Sequence, residues 1–266
     1  MIRALWTSAS GMAAQQTNLD VVSHNIANVN TVGFKQSRAN FEDLIYQDER
    51  DPGVTSADGN TVPSGIQVGL GTKVSDVAKV FSQGSIKTTK RDLDVAIEGR
   101  GFFKIELPDG GEAYTRAGNF QIDPEGYIVT SEGYKLSPNI QINSPETLVS
   151  ISISPNGKVT VVRNEGGEQT VEELGDVKLY RFINPSGLKA IGQNLFVQTE
   201  ASGEAVEGDP NTDGFGKLAQ GFLEMSNVNI VEEMVNLIVA QRAYEMNSKG
   251  ITTADEMLRT VANLKS

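Results

Sequence analysis

Residues 228–264 read VNIVEEMVNLIVAQRAYEMNSKGITTADEMLRTVANL. Ile230, Leu237, Tyr244, Ile251 and Leu258 recur there at every seventh position. A strict seven-residue repeat keeps one stripe of a helix against a partner helix. The stretch contains no proline, and Gly250 is its only glycine. Ser226 or Asn227 is the expected cap, because either side chain can accept a backbone N–H bond. Glu232 and Glu233 in the early turns, and Arg259 and Lys265 near the end, suit the helix dipole. Such a helix would be about 55 Å long at 1.5 Å per residue, more than one small domain buries.

The other end of the chain repeats the pattern with Leu5, Met12, Leu19 and Ile26, which predicts a helix from Ile2 to about Asn28 with Gly11 inside it. The companion rows are weak: Ala9, Gln16 and Ser23 at one end, Met234, Gln241, Ser248, Asp255 and Ala262 at the other. Half-polar seams suit helices that touch several neighbours rather than one isolated pair. The first helix runs into the amides Asn18, Asn25, Asn28 and Asn30. Buried amides must be hydrogen-bonded, so ordered backbone or another subunit is expected there. Capping and turn formation before Gly33 account for Asn28 and Asn30 equally well.

Between these ends the composition changes. All nine prolines and 24 of the 27 glycines fall within residues 46–225. That zone holds 16 basic and 26 acidic residues, so it carries −10 of the chain's net −11. Three turns share one chemistry: Pro108-Asp109-Gly110, Pro124-Glu125-Gly126 and Pro155-Asn156-Gly157. Proline presets φ early in such a turn and glycine accepts positive φ near its end. Alternating runs such as Phe102–Leu107, Ile151–Ser154 and Lys158–Val162 flank them and read as strands. Further short strands are expected at 94–97, 118–122, 127–130, 177–182 and 195–199. The predicted fold class is therefore mixed α and β. The N- and C-terminal helices pair as one split coiled-coil domain (1–45 and 226–266), an antiparallel all-β domain (70–225) is inserted, and an irregular extended arm occupies 46–69.

Composition also excludes. The 266 residues, 38% apolar and 21% charged, suffice for a folded core. The chain has no cysteine, which removes disulfides, thiol chemistry and Cys-ligated zinc. Its net charge of −11 opposes nucleic acid and anionic membrane surfaces. No run approaches a membrane span. Thr7, Ser8, Ser10, Gln15 and Gln16 break any signal-peptide core, so the expectation is a cytoplasmic chain or one exported without a cleaved signal.

Little catalytic chemistry is visible. His24 is the single histidine; its neighbour Ser23 points elsewhere on the helix, and no catalytic triad or metal partner accompanies it. Asp209–Gly214 begins like a calcium loop, but Gln220 stands where the bidentate Glu belongs. Gly69-Leu70-Gly71 and Gly99-Arg100-Gly101 are isolated glycine pairs without the strand–loop–helix setting of a dinucleotide site. Carboxylate pairs such as Asp92/Asp94 and Asp123/Glu125 are unavoidable among 34 acidic residues. No catalytic residue, metal ligand or cofactor is assigned.

Four segments carry a resemblance. Leu19–Lys35 (LDVVSHNIANVNTVGFK) and Gln241–Lys249 (QRAYEMNSK) resemble the N- and C-terminal signatures of bacterial flagellar rod and hook proteins. Asp94–Phe103 (DVAIEGRGFF) and Tyr114–Phe120 (YTRAGNF) resemble the start of that family's β domain. Asn18, Asn25, Asn28, Asn30, Gly33, Phe34, Gln241, Arg242, Tyr244 and Asn247 stand at the signature positions. Residues 46–68, ending Val62-Pro63-Ser64-Gly65-Ile66-Gln67-Val68, look like the extra stretch that distinguishes the distal rod from the more flexible hook; a proximal-rod or hook-type subunit of the same family is the alternative reading. The resemblance implies a structural subunit that polymerises helically into a hollow, rigid drive shaft. The two rows, Leu5, Met12, Leu19, Ile26 and Ile230, Leu237, Tyr244, Ile251, Leu258, would form its inner-tube interface. Implied partners are further copies, the proximal rod protein, the hook or hook-junction protein, the LP-ring proteins and the flagellar type III export apparatus. The implied location is the basal body across the periplasm. The competing classes are an acidic periplasmic enzyme acting on cell-wall glycan and an adhesin-like β domain on a stalk.

Overall fold

The computed structural model describes residues 2–51, 64–142, 148–165, 168–212 and 214–264. The chain forms two compact units. One comprises Met1–Ala27, Ser37–Lys79 and Asn229–Ser266; the other comprises Asn28–Gln36 and Val80–Val228.

The first unit contains helix α1 (Ile2–Ala27), strands β1 (Ser37–Asp43), β2 (Tyr46–Arg50), β3 (Ile66–Gly69) and β4 (Thr72–Lys79), and helix α2 (Ile230–Leu264). Asn229 caps α2, its Oδ1 accepting the Val231 N–H at 3.1 Å. This corrects the expected cap. Asn227 is engaged elsewhere: its Oδ1 accepts the Gln36 N–H at 2.7 Å and its amide donates to Val80 O at 2.9 Å. Ser226 Oγ is taken by the Val228 N–H. β1 and β4 pair antiparallel along their whole length, with a bulge at Asn40/Phe41. That pairing moves the expected boundary at residue 70, because Thr72–Lys79 folds with the helices.

The segment expected to be an irregular arm is different at both described ends. Tyr46–Arg50 and Ile66–Gly69 pair antiparallel as a ribbon. Ladder hydrogen bonds need no apolar face, so a polar run such as Gln47-Asp48-Glu49-Arg50 hid the strand from a reading based on composition. Residues 52–63 of that stretch lie outside the described residues.

The second unit is β. Its earlier strands are β5 (Ile86–Thr88), β6 (Val95–Glu98), β7 (Phe103–Glu106), β8 (Glu112–Thr115), β9 (Gln121–Ile122), β10 (Ile128–Val129) and β11 (Lys135–Ser137). Next come β12 (Leu148–Ile153), β13 (Lys158–Glu165), β14 (Glu168–Asp176) and β15 (Leu179–Arg181). The last are β16 (Lys189–Gly192), β17 (Leu195–Val197), β18 (Val206–Gly208), β19 (Lys217–Gln220) and β20 (Phe222–Glu224). A seven-stranded antiparallel sheet runs β16-β17-β8-β7-β11-β10-β9, beside a three-stranded β12-β13-β14 sheet and several pairs. All three Pro-x-Gly turns close the same way. The glycine N–H donates to Leu107 O, Asp123 O and Ser154 O respectively, and each glycine has positive φ.

Alternation along the strands builds two cores. Phe103, Ala113, Leu179 and Leu195 enter one; their neighbours Phe102, Tyr114, Tyr180 and Phe196 enter the other. Successive side chains of a strand point to opposite faces, so adjacent residues serve different cores. The second core is aromatic. Phe102 meets Phe81, Phe182 and Phe196 edge-on at centroid distances of 5.5, 5.7 and 6.2 Å.

Candidate assembly interface and its charged anchor

The helices of the first unit run antiparallel and touch. A Cβ placed on Gly11 would lie 2.8 Å from Asn247 Nδ2, and one on Gly250 would lie 2.9 Å from Ser8 Oγ. Asn25 Nδ2 donates to Glu233 Oε2 at 3.1 Å. As the contacts advance along α1 they retreat along α2. Asn25 also clamps the start of β1, since it accepts the Ser37 N–H at 2.9 Å and donates to Ser37 O at 2.8 Å. One buried amide therefore fixes α1, β1 and α2 together.

The predicted seam residues sit beside this contact. Leu5, Met12, Leu19 and Ile26 are half-buried, as are Leu237, Ile251 and Leu258; Ile230 and Tyr244 are exposed. The fully buried helical residues are Ala14, Val22 and Asn25 on α1, and Glu233, Ala240 and Ala254 on α2. Glu233, Ala240, Asn247 and Ala254 form a second seven-residue row of small or polar side chains, which carries no hydrophobic signal. The companion rows expected from the sequence lie elsewhere: Ala9, Gln16, Ser23, Met234, Gln241, Asp255 and Ala262 are exposed. Of the signature residues, Asn18 is half-buried within hydrogen-bond reach of Gln15, and Arg242 is exposed and pairs with Glu245 at 2.8 Å. Asn28 accepts the Thr31 hydroxyl at 3.1 Å, and Asn30 is exposed.

The outer face of α2 is apolar and open. Val231, Val235, Ile238 and Val239 are 70%, 54%, 54% and 61% exposed, with Met234 and Met246 also exposed. Val231, Val235 and Ile238 share one helical face. On α1, Trp6 is 70% exposed.

The second unit holds a buried charge cluster that the sequence reading did not assemble. Lys35 Nζ lies 2.6 Å from Glu224 Oε1 and donates to Ser82 O at 2.8 Å. Arg116 Nε lies 2.9 Å from Glu224 Oε2, an ion pair set off the hydrogen-bonding angle. The Arg116 guanidinium is held by Gly101 O at 2.7 Å and Gly99 O at 2.9 Å. Gly84 N–H donates to Glu224 Oε1, and Gly33 N–H to the Glu224 backbone carbonyl. All three charged side chains are almost wholly buried. Burial draws the Lys35 and Arg116 pKa values down, and the Glu224 carboxylate opposes it in both. Gly33 has φ +69° and stands where a Cβ would meet Ala117 N at 2.6 Å. Only glycine satisfies both demands. Phe34 is buried beside it.

Lys35 and Arg116 lie within the signature segments, whereas Glu224 was not singled out. Its signal was a lone carboxylate in the apolar run Phe222-Leu223-Glu224-Met225. Charges are almost never fully buried unless paired.

Among the described residues no group of three His, Asp or Glu side chains is placed to hold a metal. His24 is exposed on α1. Asp209 of the calcium-like loop takes the Lys178 ammonium at 2.5 Å. Asp94 is buried while Asp92 and Glu125 are exposed, so neither carboxylate pair shares one setting. No described helix is long and apolar enough to cross a membrane.

Comparison with known proteins covers both units. Residues 5–35 match the family model for flagella basal body rod protein. Residues 96–161 match the flagellar hook protein FlgE/F/G D1 domain, and 219–264 the flagellar basal body rod FlgEFG protein C-terminal model. The chain is 53% identical to the flagellar basal-body rod protein FlgG of Borreliella burgdorferi, over 100% of this chain and 99% of that one. It is 50% identical to its counterpart in Caulobacter vibrioides and 43% identical to that of Bacillus subtilis, each over the full length of both chains.

Proposed function

Because the chain belongs to the FlgG family of flagellar basal-body rod proteins, and so is a structural rod subunit, we propose how its two units divide that task. The helix pair acts as a coiled-coil inner-tube element, and copies stack helically into the hollow distal rod, a stiff shaft that carries torque towards the hook. The β unit forms the outer layer. The proposed contacts are further copies, the proximal rod protein, the hook or hook-junction protein, the LP-ring proteins and the type III export apparatus. Residues 46–68 act as the distal-rod stretch that stiffens the shaft. The chain has no enzymatic role in this reading.

The observation that supports the reading best is the uncovered face of α2, with Val231, Val235 and Ile238 open along one side of the helix. An exposed apolar patch of this kind marks a partner surface. Isolated helices are marginal in water, and burial of this face on a neighbour stabilises both. Electron microscopy of concentrated full-length protein tests it, with hollow helical rods as the expected result. Val231→Glu with Ile238→Glu should leave monomer that melts normally and forms no rods. Rods that form normally from this variant would refute the inner-tube role of α2.

A further inference from the structure

The Gly99-Arg100-Gly101 fragment, which fits no nucleotide site, lines a cleft of about 810 Å³ in the second unit. Its apolar walls include Phe81, Phe102, Phe182 and Ile183, the last 86% exposed. Arg100 and Arg181 stand in the same lining, which among the described residues contains no aspartate or glutamate. The turn that displays Arg100 is built for it. Gly99 has φ +114° and Gly101 φ +142°, conformations that glycine adopts freely. Both glycine carbonyls accept from the buried Arg116 guanidinium, and Arg100 O accepts the Gly216 N–H at 2.7 Å. Glu224 holds Arg116, Arg116 holds the turn, and the turn presents Arg100. Arg181 spans the Phe215 ring at 5.4 Å. Among the described residues neither Arg100 nor Arg181 is paired with a carboxylate.

We propose that this cleft is a contact between copies, in which Arg100 and Arg181 receive carboxylates from an apolar-edged surface of a second copy. The proposal rests on the reading of the chain as a polymer subunit. Charge complementarity selects the occupant. Each copy carries 34 acidic against 23 basic side chains, so like surfaces repel wherever copies meet. Assembly of such a chain needs sites where a cation meets a carboxylate, and arginine serves because its planar fork binds carboxylate in two places. A cleft whose lining, among the described residues, holds no carboxylate and presents two guanidiniums without a carboxylate partner meets that need; Arg181 is steadied there by Gly214 O at 3.4 Å. Its aromatic walls lower the local dielectric and strengthen the pairing.

The test uses the full chain and reads the critical concentration for rod formation by sedimentation, with electron microscopy of the pellet. Arg100→Glu with Arg181→Glu should raise that concentration about tenfold or more. Arg100→Lys with Arg181→Lys should fall between the wild type and the reversal, because charge is kept and the fork is lost. Thermal melting of the monomer should be unchanged in both, since both side chains lie at the cleft. A charge-reversed chain that forms rods at the wild-type concentration overturns the proposal. So does one that forms normal rods but fails to restore motility in cells, which assigns the cleft to a different partner. Wild-type protein that forms no rods at all would instead refute the proposed function.

Discussion

The two units solve opposite problems with the same alphabet. The β unit closes its cores with its own side chains: Phe103, Ile105, Ala113, Leu179, Val159 and Val161 are essentially inaccessible. The helical unit leaves Trp6, Val231, Val235 and Ile238 exposed and most of its seven-residue rows only half-buried; the helical residues it buries fully are Ala14, Val22, Asn25, Glu233, Ala240 and Ala254. Small residues let two backbones approach closely, and buried amides specify register at some cost in stability. A unit built this way is unfinished by itself, whereas the β unit is complete. Stability should therefore reside mainly in the β unit and the larger share of assembly in the helical unit, with the Arg100 and Arg181 cleft adding to it, and each substitution below tests that division.

The largest effect belongs to Glu224. Glu224→Ala leaves Lys35 and Arg116 buried without a counter-charge and should cost the β unit about 3–5 kcal/mol. Denaturant unfolding followed by near-ultraviolet circular dichroism would read it. Replacement of all three charged residues by methionine should recover much of that loss, because an apolar set of similar volume avoids the desolvation. If Glu224→Ala melted like the wild type, the β unit would not depend on its charged anchor.

Asn25→Ala comes next. It removes the bonds to Ser37 and strips Glu233 of a buried partner, at about 1–3 kcal/mol. The comparison predicts where the loss appears: helix content and assembly fall while near-ultraviolet signals of the β unit persist. A simultaneous loss of both would show that the units are not separable in stability.

Alkaline pH probes the aromatic core of the β unit. Burial, reinforced by Glu112, raises the Tyr114 pKa, and burial with the Glu207 hydrogen bond raises that of Tyr180. A folded pKa above the unfolded one contributes stability that is whole below the unfolded value, about 10. That contribution declines as pH climbs past it, because the unfolded chain then loses protons that the folded chain keeps. Tyrosinate absorbance should show Tyr114 and Tyr180 titrating late, and unfolding should become easier above that pH. Six tyrosines titrating together in folded protein would contradict the buried aromatic core.

The smallest effect on stability, and the sharpest contrast, is Val231→Ser with Ile238→Ser. Both side chains face solvent, so monomer stability should change by less than about 0.5 kcal/mol. Rod formation should nevertheless fail.

What the sequence made legible follows the same division. The β turns were readable because Pro-x-Gly turn chemistry is local, and Gly110, Gly126 and Gly157 adopt the positive φ it requires. The two helices were readable from their period, to within about two residues: Ala27 ends the first, and Asn229 caps the second, which starts at Ile230. The inner row Glu233, Ala240, Asn247, Ala254 was hidden because close approach is signalled by small size rather than by hydrophobicity. The cluster of Lys35, Arg116 and Glu224 was hidden because no local rule links residues so far apart in the chain. Gln220, noted only for failing a calcium pattern, binds Asp92 O and Ile151 O through its amide, a bracing role that no motif announces.

The span between Lys35 and Glu224 is 189 residues. A chain that emerges N-terminus first has long released its lysine when the glutamate appears. Until then Lys35 and Arg116 have no partner worth leaving water for, so the early segments gain nothing from closing prematurely. The buried pair is in this sense a clock: it withholds completion of the β unit until nearly the whole chain is present.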